Sequence, residues 1–318
     1  MKHRFLIAAM AIVLATAARS SAQSFSFVAI DVPCSGCPNG IARQTIAEGI
    51  NPGGDIVGTY KDAANAQHGF LLSRGQFTQI DVPGAVVTIA TGINPAGDIV
   101  GKFTAPVGSS PECAAANSPA CIHGFLYRHG KFSTVTFTGH PGAFAQRITP
   151  DGDIYGCLHD FDLMGSMFGA VWTRFGDSSL AAGDGELTDS AQSVPASMNN
   201  GATPDGSTIV GHFTDMNTNL IHGFIVQNGG LQIYDVPSSV MTQIWDMNPG
   251  REFVGTYKDS SGKQHGFLQL PDGSVFTSLN YPGAAATIAF GVNPGGAIVG
   301  QYTASGNIHG FVALPADK

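Results

Sequence analysis

Downstream of residue 22 the hydrophobic positions fall into short runs rich in β-branched and aromatic side chains, each bounded by Gly, Pro, Asn or Asp. No stretch holds the three-and-four spacing of a helix face, and runs of about five to seven residues have the length of strands. One run recurs. It closes on Gly58 (DIVG), Gly101 (DIVG), Gly156 (DIYG), Gly211 (TIVG), Gly255 (EFVG) and Gly300 (AIVG), at steps of 43, 55, 55, 44 and 45 residues. Repeats of that length without helices point to propeller blades rather than to a helical solenoid.

Each repeat resolves into four strands. Strand A, as in Thr45 to Asn51 (TIAEGIN), meets a turn with a proline in every copy: Pro52, Pro95, Pro150, Pro204, Pro249 and Pro294. Proline with a nearby glycine presets a tight reversal. Strand B is Asp55 to Tyr60 (DIVGTY). A connection of variable length leads to strand C, His68 to Leu72 (HGFLL), and a Gly turn leads to strand D, Gln76 to Val82 (QFTQIDV). The last repeat ends with its strand C, His309 to Leu314, whereas Phe25 to Val32 (FSFVAIDV) reads as a strand D with no unit before it. The expected fold is therefore all-β: a six-bladed β-propeller of four-stranded antiparallel blades, closed by the N-terminal strand completing the C-terminal blade, as a single domain over residues 23–318. Such closure would cover an otherwise open sheet edge.

Residues 1–22 carry Lys2 and Arg4, an apolar run from Phe5 to Ala18, and small residues at Ser20 and Ala22. This is the layout of a cleaved export signal, and the run is short of the roughly 20 residues that span a bilayer. The expected mature chain begins near Gln23 and is secreted, extracellular or periplasmic, with no transmembrane anchor. Loss of Lys2, Arg4 and Arg19 moves the formal charge from -8 to about -11, and the 15 Lys and Arg are scattered, so no nucleic-acid partner is expected. With 42 Gly, 18 Pro and 12% charged residues, turns dominate, while recurring aromatics argue against disorder.

Five cysteines in an export context read as two disulfides, Cys34 with Cys37 and Cys113 with Cys121, leaving Cys157 over; spacing leaves other pairings open. A zinc site built on Cys34 and Cys37 lacks a second ligand pair, and a thioredoxin-like site lacks its βαβ setting. No metal or cofactor is expected.

The pattern Gly-x-Asn-Pro-x-Gly-x-x-Val-Gly, followed by His-Gly-Phe at His68, His123, His222, His265 and His309, resembles the bacterial HAF-type extracellular repeat over essentially the whole chain after residue 22. The resemblance implies an exported repeat protein and no particular reaction. The third repeat departs from it with Phe168-Gly169-Ala170. Five repeated histidines invite a metal reading, which geometry opposes. Strand C stands two strands out from the innermost strand, about 9 to 10 Å, so these side chains cannot share an ion with bonds of about 2 Å. They are expected instead to hydrogen-bond within their blades, to Asp62, Asp215 and Asp259 of the preceding loops. Asp31, Asp81 and Asp235 of the repeated Asp-Val-Pro read as turn residues.

In such a blade the A-B and C-D turns share one rim, and the B-C and D-A connections share the other. The first rim is monotonous. The second carries the long Thr104 to Cys121 connection, His159 and Asp160 with Phe161 and Asp162, the Phe175 to Ser197 insertion, and the Cys34-Cys37 pair, so binding is expected there. Comparison of the strands A adds a second clue. The position two before the Ile of Gly-Ile-Asn is Glu48, Thr91, Gln146, Asn200, Trp245 or Phe290, and the next is Gly except at Arg147 and Asp246. Candidate ligand-binding residues are therefore Glu48, Arg147, His159, Asp160, Trp245 and Asp246, with Trp245 suited to stack on a sugar ring and the others to polar or acid-base roles. The plainer alternative is that Arg147 pairs with Asp160 or Asp246 as channel filling. Two functions fit: a binding module, monomeric, for a glycan, a peptide or a protein surface; or an extracellular enzyme acting on polysaccharide, a lyase or hydrolase. No catalytic motif supports the second, so catalysis stays open.

Overall fold

The computed structural model describes residues 23–111, 113–114, 121–136, 142–159, 167–173, 186–187, 197–271, 273 and 276–316. The signal-like segment 1–22, Asp160 with Phe161 and Asp162, and most of the insertion after the third repeat lie outside the described residues.

Strands follow one another along the described chain. The first is β1 (Phe25–Ile30). Two groups of four come next: β2 (Gln44–Ile50), β3 (Ile56–Lys61), β4 (Gln67–Ser73) and β5 (Gln76–Ile80), then β6 (Val87–Ile93), β7 (Ile99–Thr104), β8 (Ile122–Arg128) and β9 (Lys131–Val135). The third and fourth groups are β10 (Gly142–Ile148), β11 (Ile154–His159), β12 (Met167–Trp172) and β13 (Glu186–Leu187), then β14 (Ser197–Ala202), β15 (Thr208–Thr214), β16 (Ile221–Gln227) and β17 (Gly230–Tyr234). The fifth is β18 (Met241–Met247), β19 (Phe253–Lys258), β20 (Gln264–Gln269) and β21 (Phe276–Leu279), and β22 (Ala286–Val292), β23 (Ile298–Ala304) and β24 (Asn307–Pro315) complete the order. Within each group consecutive strands pair antiparallel. β1 pairs antiparallel with β24, from Phe25 opposite Pro315 to Ile30 opposite Gly310. Single parallel pairings, Gln44 with Ile308 and Gln67 with Val87, join neighbouring groups.

The repeated triplets explain why these runs pack as they do. Phe70, Phe125, Phe224, Phe267 and Phe311 are fully buried, and burying such a ring contributes about 1.5–3 kcal/mol. Each ring lies across the glycine of the adjacent strand B. A Cβ at Gly58 would stand 2.0 Å from the Ile46 carbonyl oxygen and 2.8 Å from the Phe70 ring, and Gly101, Gly211, Gly255 and Gly300 repeat this contact. Ile-Val-Gly and His-Gly-Phe therefore recur together because one makes room for the other.

The histidines bond mainly to partners other than those expected from sequence. Nδ1 of His68 meets Asp81 at 2.7 Å, that of His222 meets Asp235 at 2.8 Å, that of His309 meets Asp31 at 2.8 Å, and that of His265 meets Asn280 at 2.6 Å. Strand D runs antiparallel beside strand C with Gly69 opposite Ile80, which sets the residue after strand D beside the histidine. Of the loop carboxylates, Asp62 and Asp259 do reach Nε2 of their histidines, at 3.5 and 3.1 Å. Asp215 instead accepts hydrogen bonds from the Asn217 amide and the Thr218 hydroxyl within its own turn.

Candidate functional site

Every strand A carries a bulge at the same place. The ladder slips between Ala47 and Gly49, Ala90 and Gly92, Ala145 and Arg147, Asn199 and Gly201, Ile244 and Asp246, and Ala289 and Gly291. The extra residue is Glu48, Thr91, Gln146, Asn200, Trp245 or Phe290. A bulge leaves one residue out of the ladder and bends the strand, and here four of the released carbonyls turn to one guanidinium. Arg147 Nη1 donates to the Thr91 and Gln146 oxygens at 2.6 and 2.9 Å, and Nη2 donates to Glu48 O at 3.2 Å and to Phe290 O. Arg147 Nε stands 3.2 Å from Asp246 Oδ1. The Asp246 carboxylate also accepts from the amides of Met247 (2.9 Å) and Val292 (3.0 Å). At the corresponding glycines the next group comes very close: a Cβ at Gly49, Gly92, Gly201 or Gly291 would meet neighbouring backbone at 2.8–2.9 Å. Arg147 and Asp246 thus form a charged bar where the strands A converge.

Asparagine stitches the same region together. Asn51, Asn94, Asn248 and Asn293 each accept from the amide four residues on, closing the proline turn. Their Nδ2 groups reach a neighbouring carbonyl: Asn51 to Asn94, Asn94 to Thr149, Asn248 to Asn293, and Asn293 to Asn51, at 3.2–3.5 Å. Thr149 and Thr203 occupy the remaining two positions, and their hydroxyls accept from the amides of Asp153 and Thr208 within their own turns.

The bar separates two environments. On the proline side a pocket of about 90 Å³ is lined by all six turn prolines, with Ile50, Ile93, Ile148, Met247 and Val292 as walls and Arg147 with Asp246 at its base. Beyond the bar stand the bulge side chains and strand-B residues. The Trp245 ring lies 5.0 Å from His212 and 5.2 Å from Phe290. Asn200 Nδ2 is 2.7 Å from both His212 Nδ1 and the Ile244 oxygen, and Lys102 Nζ stands 4.5 Å from the Phe144 ring centre. Glu48 is enclosed by these elements yet keeps solvent-reachable surface. Burial pushes its carboxyl up to about 7, against the pull of Arg147 and Lys102. Burial raises Asp246 as well, opposed by Arg147 and the two amides. It also depresses His212 to about 4, leaving a neutral imidazole, and pushes the buried Cys157 thiol up to about 12, which makes that thiol a poor nucleophile.

The structure brings Glu48, Arg147, Trp245 and Asp246 together and pairs Arg147 with Asp246. It places His159 at the end of β11, opposite Gly142 and Met167; that side chain and Asp160 lie outside the described residues. Cys34 is disulfide-bonded to Cys37, and Cys113 to Cys121. Among the described residues no group of three metal-ligating side chains gathers. Sequence reasoning missed Lys102 and His212 and gave the left-over Cys157 no place near the site, although each follows the Ile-Val-Gly glycine and stands where Thr59, Thr256 and Gln301 stand elsewhere. It also missed the proline-lined pocket, which lies on the rim whose uniformity drew attention away from it.

No family model matches the chain, and no curated protein matches it by sequence. Solved structures do. Over 83% of this chain, TolB from Acinetobacter baumannii superposes with a TM-score of 0.53 at 12% identity. A Trypanosoma rangeli sialidase in complex with 2,3-difluorosialic acid matches over 91%, with a TM-score of 0.52 at 8% identity. This chain spans 64% of that TolB chain and 59% of that sialidase. The fold is accordingly all-β and propeller-like. Among the described residues no helix is long and apolar enough to cross a membrane.

Proposed function

We propose that the protein is an exported, monomeric binding module, its residues 1–22 a cleaved signal and residues 23–318 one six-bladed propeller closed by β1 completing the last blade. The pairing of β1 with β24, the His309–Asp31 contact and the Asn293 bond to the Asn51 carbonyl support closure. The ligand is a glycan held by the bulge side chains, with Trp245 offering a stacking face and Glu48 a hydrogen-bonding carboxyl. One observation carries this reading. The bulge and the proline turn after it recur in all six copies, yet the bulge position holds six different side chains, as a scaffold shaped for a particular ligand would. Arg147 and Asp246 act as the floor of this site, because the guanidinium is taken up by four backbone carbonyls.

The second reading, an extracellular lyase or hydrolase of polysaccharide, draws on Glu48. A carboxyl near 7 can exchange a proton at neutral pH. Against it stands the engagement of Arg147 by four carbonyls, which withdraws that guanidinium from a substrate carboxylate and leaves the role to Lys102 alone among the cations described there. A glycan array with the purified chain, and a parallel assay for new reducing or unsaturated ends, separates the two. Trp172 is buried and donates to the Thr136 oxygen at 2.8 Å, so a ligand-induced fluorescence change belongs to Trp245. Binding should fall in Trp245→Ala with the melting temperature retained; unaltered binding in that variant removes the axial site from the proposal.

A further inference from the structure

A second cavity, of about 740 Å³, lies on the flank of the fold between the fourth and fifth strand groups, lined among others by Tyr234, Phe253, Tyr257, Gln269 and Phe276. Its size falls within the range of small-molecule sites, about 300–1,000 Å³. The repeat supplies an internal control for these side chains. Tyr234 ends strand D opposite the triplet glycine, where four of the other groups carry Ile30, Ile80, Val135 and Leu279. Gln269, four residues after its triplet histidine, stands where Leu72, Tyr127, Val226 and Ala313 stand elsewhere. Phe253, two residues before its strand-B glycine, replaces Ile56, Ile99, Ile154, Ile209 and Ile298. The fold is satisfied at the first and third positions by plain aliphatic residues.

The three departures meet. Tyr234 Oη donates to Gln269 Oε1 at 3.0 Å, and the Tyr234 and Phe253 rings cross at 90° with centres 5.0 Å apart. Phe276, at the lip, is 36% exposed, although its counterparts Phe27, Phe77 and Phe132 are partly buried. Aromatic faces beside amides are what a pyranose requires: its C–H face packs on a ring while its hydroxyls need donors and acceptors in one plane. Among the described residues the lining contains no Lys or Arg, and the one carboxylate there, Asp235, is engaged by His222 at 2.8 Å. An anionic sugar would find no counter-charge there.

We propose that this cleft is a second, lateral carbohydrate site, selective for neutral pyranose oligomers and separate from the axial site. The test titrates the full mature chain calorimetrically with cellotetraose, maltotetraose, xylotetraose and chitotetraose, with trigalacturonate as the anionic control. At least one neutral oligomer should bind, and trigalacturonate should bind at least about tenfold more weakly. Tyr234→Ile with Gln269→Leu returns the cleft to the repeat's own residues, so the double variant should keep its melting temperature and lose at least about tenfold in affinity. If that variant melts early, Phe276→Ala, at an exposed position, serves instead and should weaken binding in the same direction. Trp245→Ala should leave the lateral affinity unchanged, which separates a failure here from a failure of the axial reading. No binding by any neutral oligomer, undiminished binding in the reverted cleft, a preference for trigalacturonate, or occupancy by a proline-rich peptide in competition with the sugars would each overturn the proposal.

Discussion

Replacing Arg147 by glycine restores the residue that Gly49, Gly92, Gly201 and Gly291 represent elsewhere, yet it should be among the most damaging single changes in the protein. The substitution removes the donor to four carbonyls and leaves the Asp246 carboxylate buried without its cation. Breaking a buried pair by removing one partner costs about 3–5 kcal/mol. In a domain of this size that corresponds to a fall in melting temperature of at least roughly 6 °C. Removing the second charge as well, in Arg147→Gly with Asp246→Gly, takes away the stranded carboxylate and returns the whole position to the repeat's own sequence. The double variant should therefore be more stable than the sum of the single losses predicts, by about 1.5 kcal/mol or more. The pH dependence adds an independent check. Burial raises Asp246 and Arg147 is the first of the influences opposing it, so without Arg147 the folded carboxyl rises further above its unfolded value. A raised carboxyl opposes folding once ionised. The deficit of Arg147→Gly should then shrink as pH falls toward about 4 and stay full near neutrality. Urea and thermal unfolding of the four proteins at two pH values supply all the quantities. Additive losses, within about 0.5 kcal/mol, or a deficit that is the same at both pH values, would refute the charged bar.

Two further outcomes follow from the same geometry. Glu48 sits at about 7 against an ordinary value of 4.5, so its ionisation opposes folding across that interval and stability should decline from pH 4.5 to 7 before levelling. Glu48→Gln should raise the melting temperature at pH 8, by up to about 3 kcal/mol in stability, and change little at pH 4; equal shifts at both would place the carboxyl in open solvent. Deleting Phe25 to Pro33 strips the partner from β24 and the Asp31 contact from His309, and should lower the melting temperature by more than about 10 °C or abolish expression. An unchanged melting curve would exclude closure through β1.

The strands and their phase were legible because each depends on residues close in sequence: the prolines and glycines of the turns, and the Gly58–Phe70 type of contact repeated five times. The bulges were not. One extra residue in a strand looks the same in sequence as a strand one residue longer, although the variable column of Glu48, Trp245 and their counterparts marked the right place. Arg147 was noticed as a departure from glycine, but its main partners are backbone carbonyls, and no sequence names a carbonyl. The histidine partners could have been found: Asp81 and Asp235 each follow their triplet histidine by 13 residues, and Asp31 repeats the same Asp-Val-Pro at the end of the strand assigned to the last blade, so only their reading as turn residues concealed the pairing. The lateral cleft became visible once register placed Tyr234 and Gln269 side by side, since they lie 35 residues apart and break the repeat in different strands.

The asparagine stitching has a direction. Asparagine can accept and donate at once, whereas threonine has a single hydroxyl, so the stitch runs unbroken from Asn248 through Asn293 and Asn51 to Asn94 and lapses at Thr149 and Thr203. The innermost strands are consequently not equally tight. Thermal breathing, amide exchange and mechanical rupture should begin at Thr149 and Thr203, away from the β1–β24 pairing. A circular permutant cut near the fourth group would sacrifice the least cohesion.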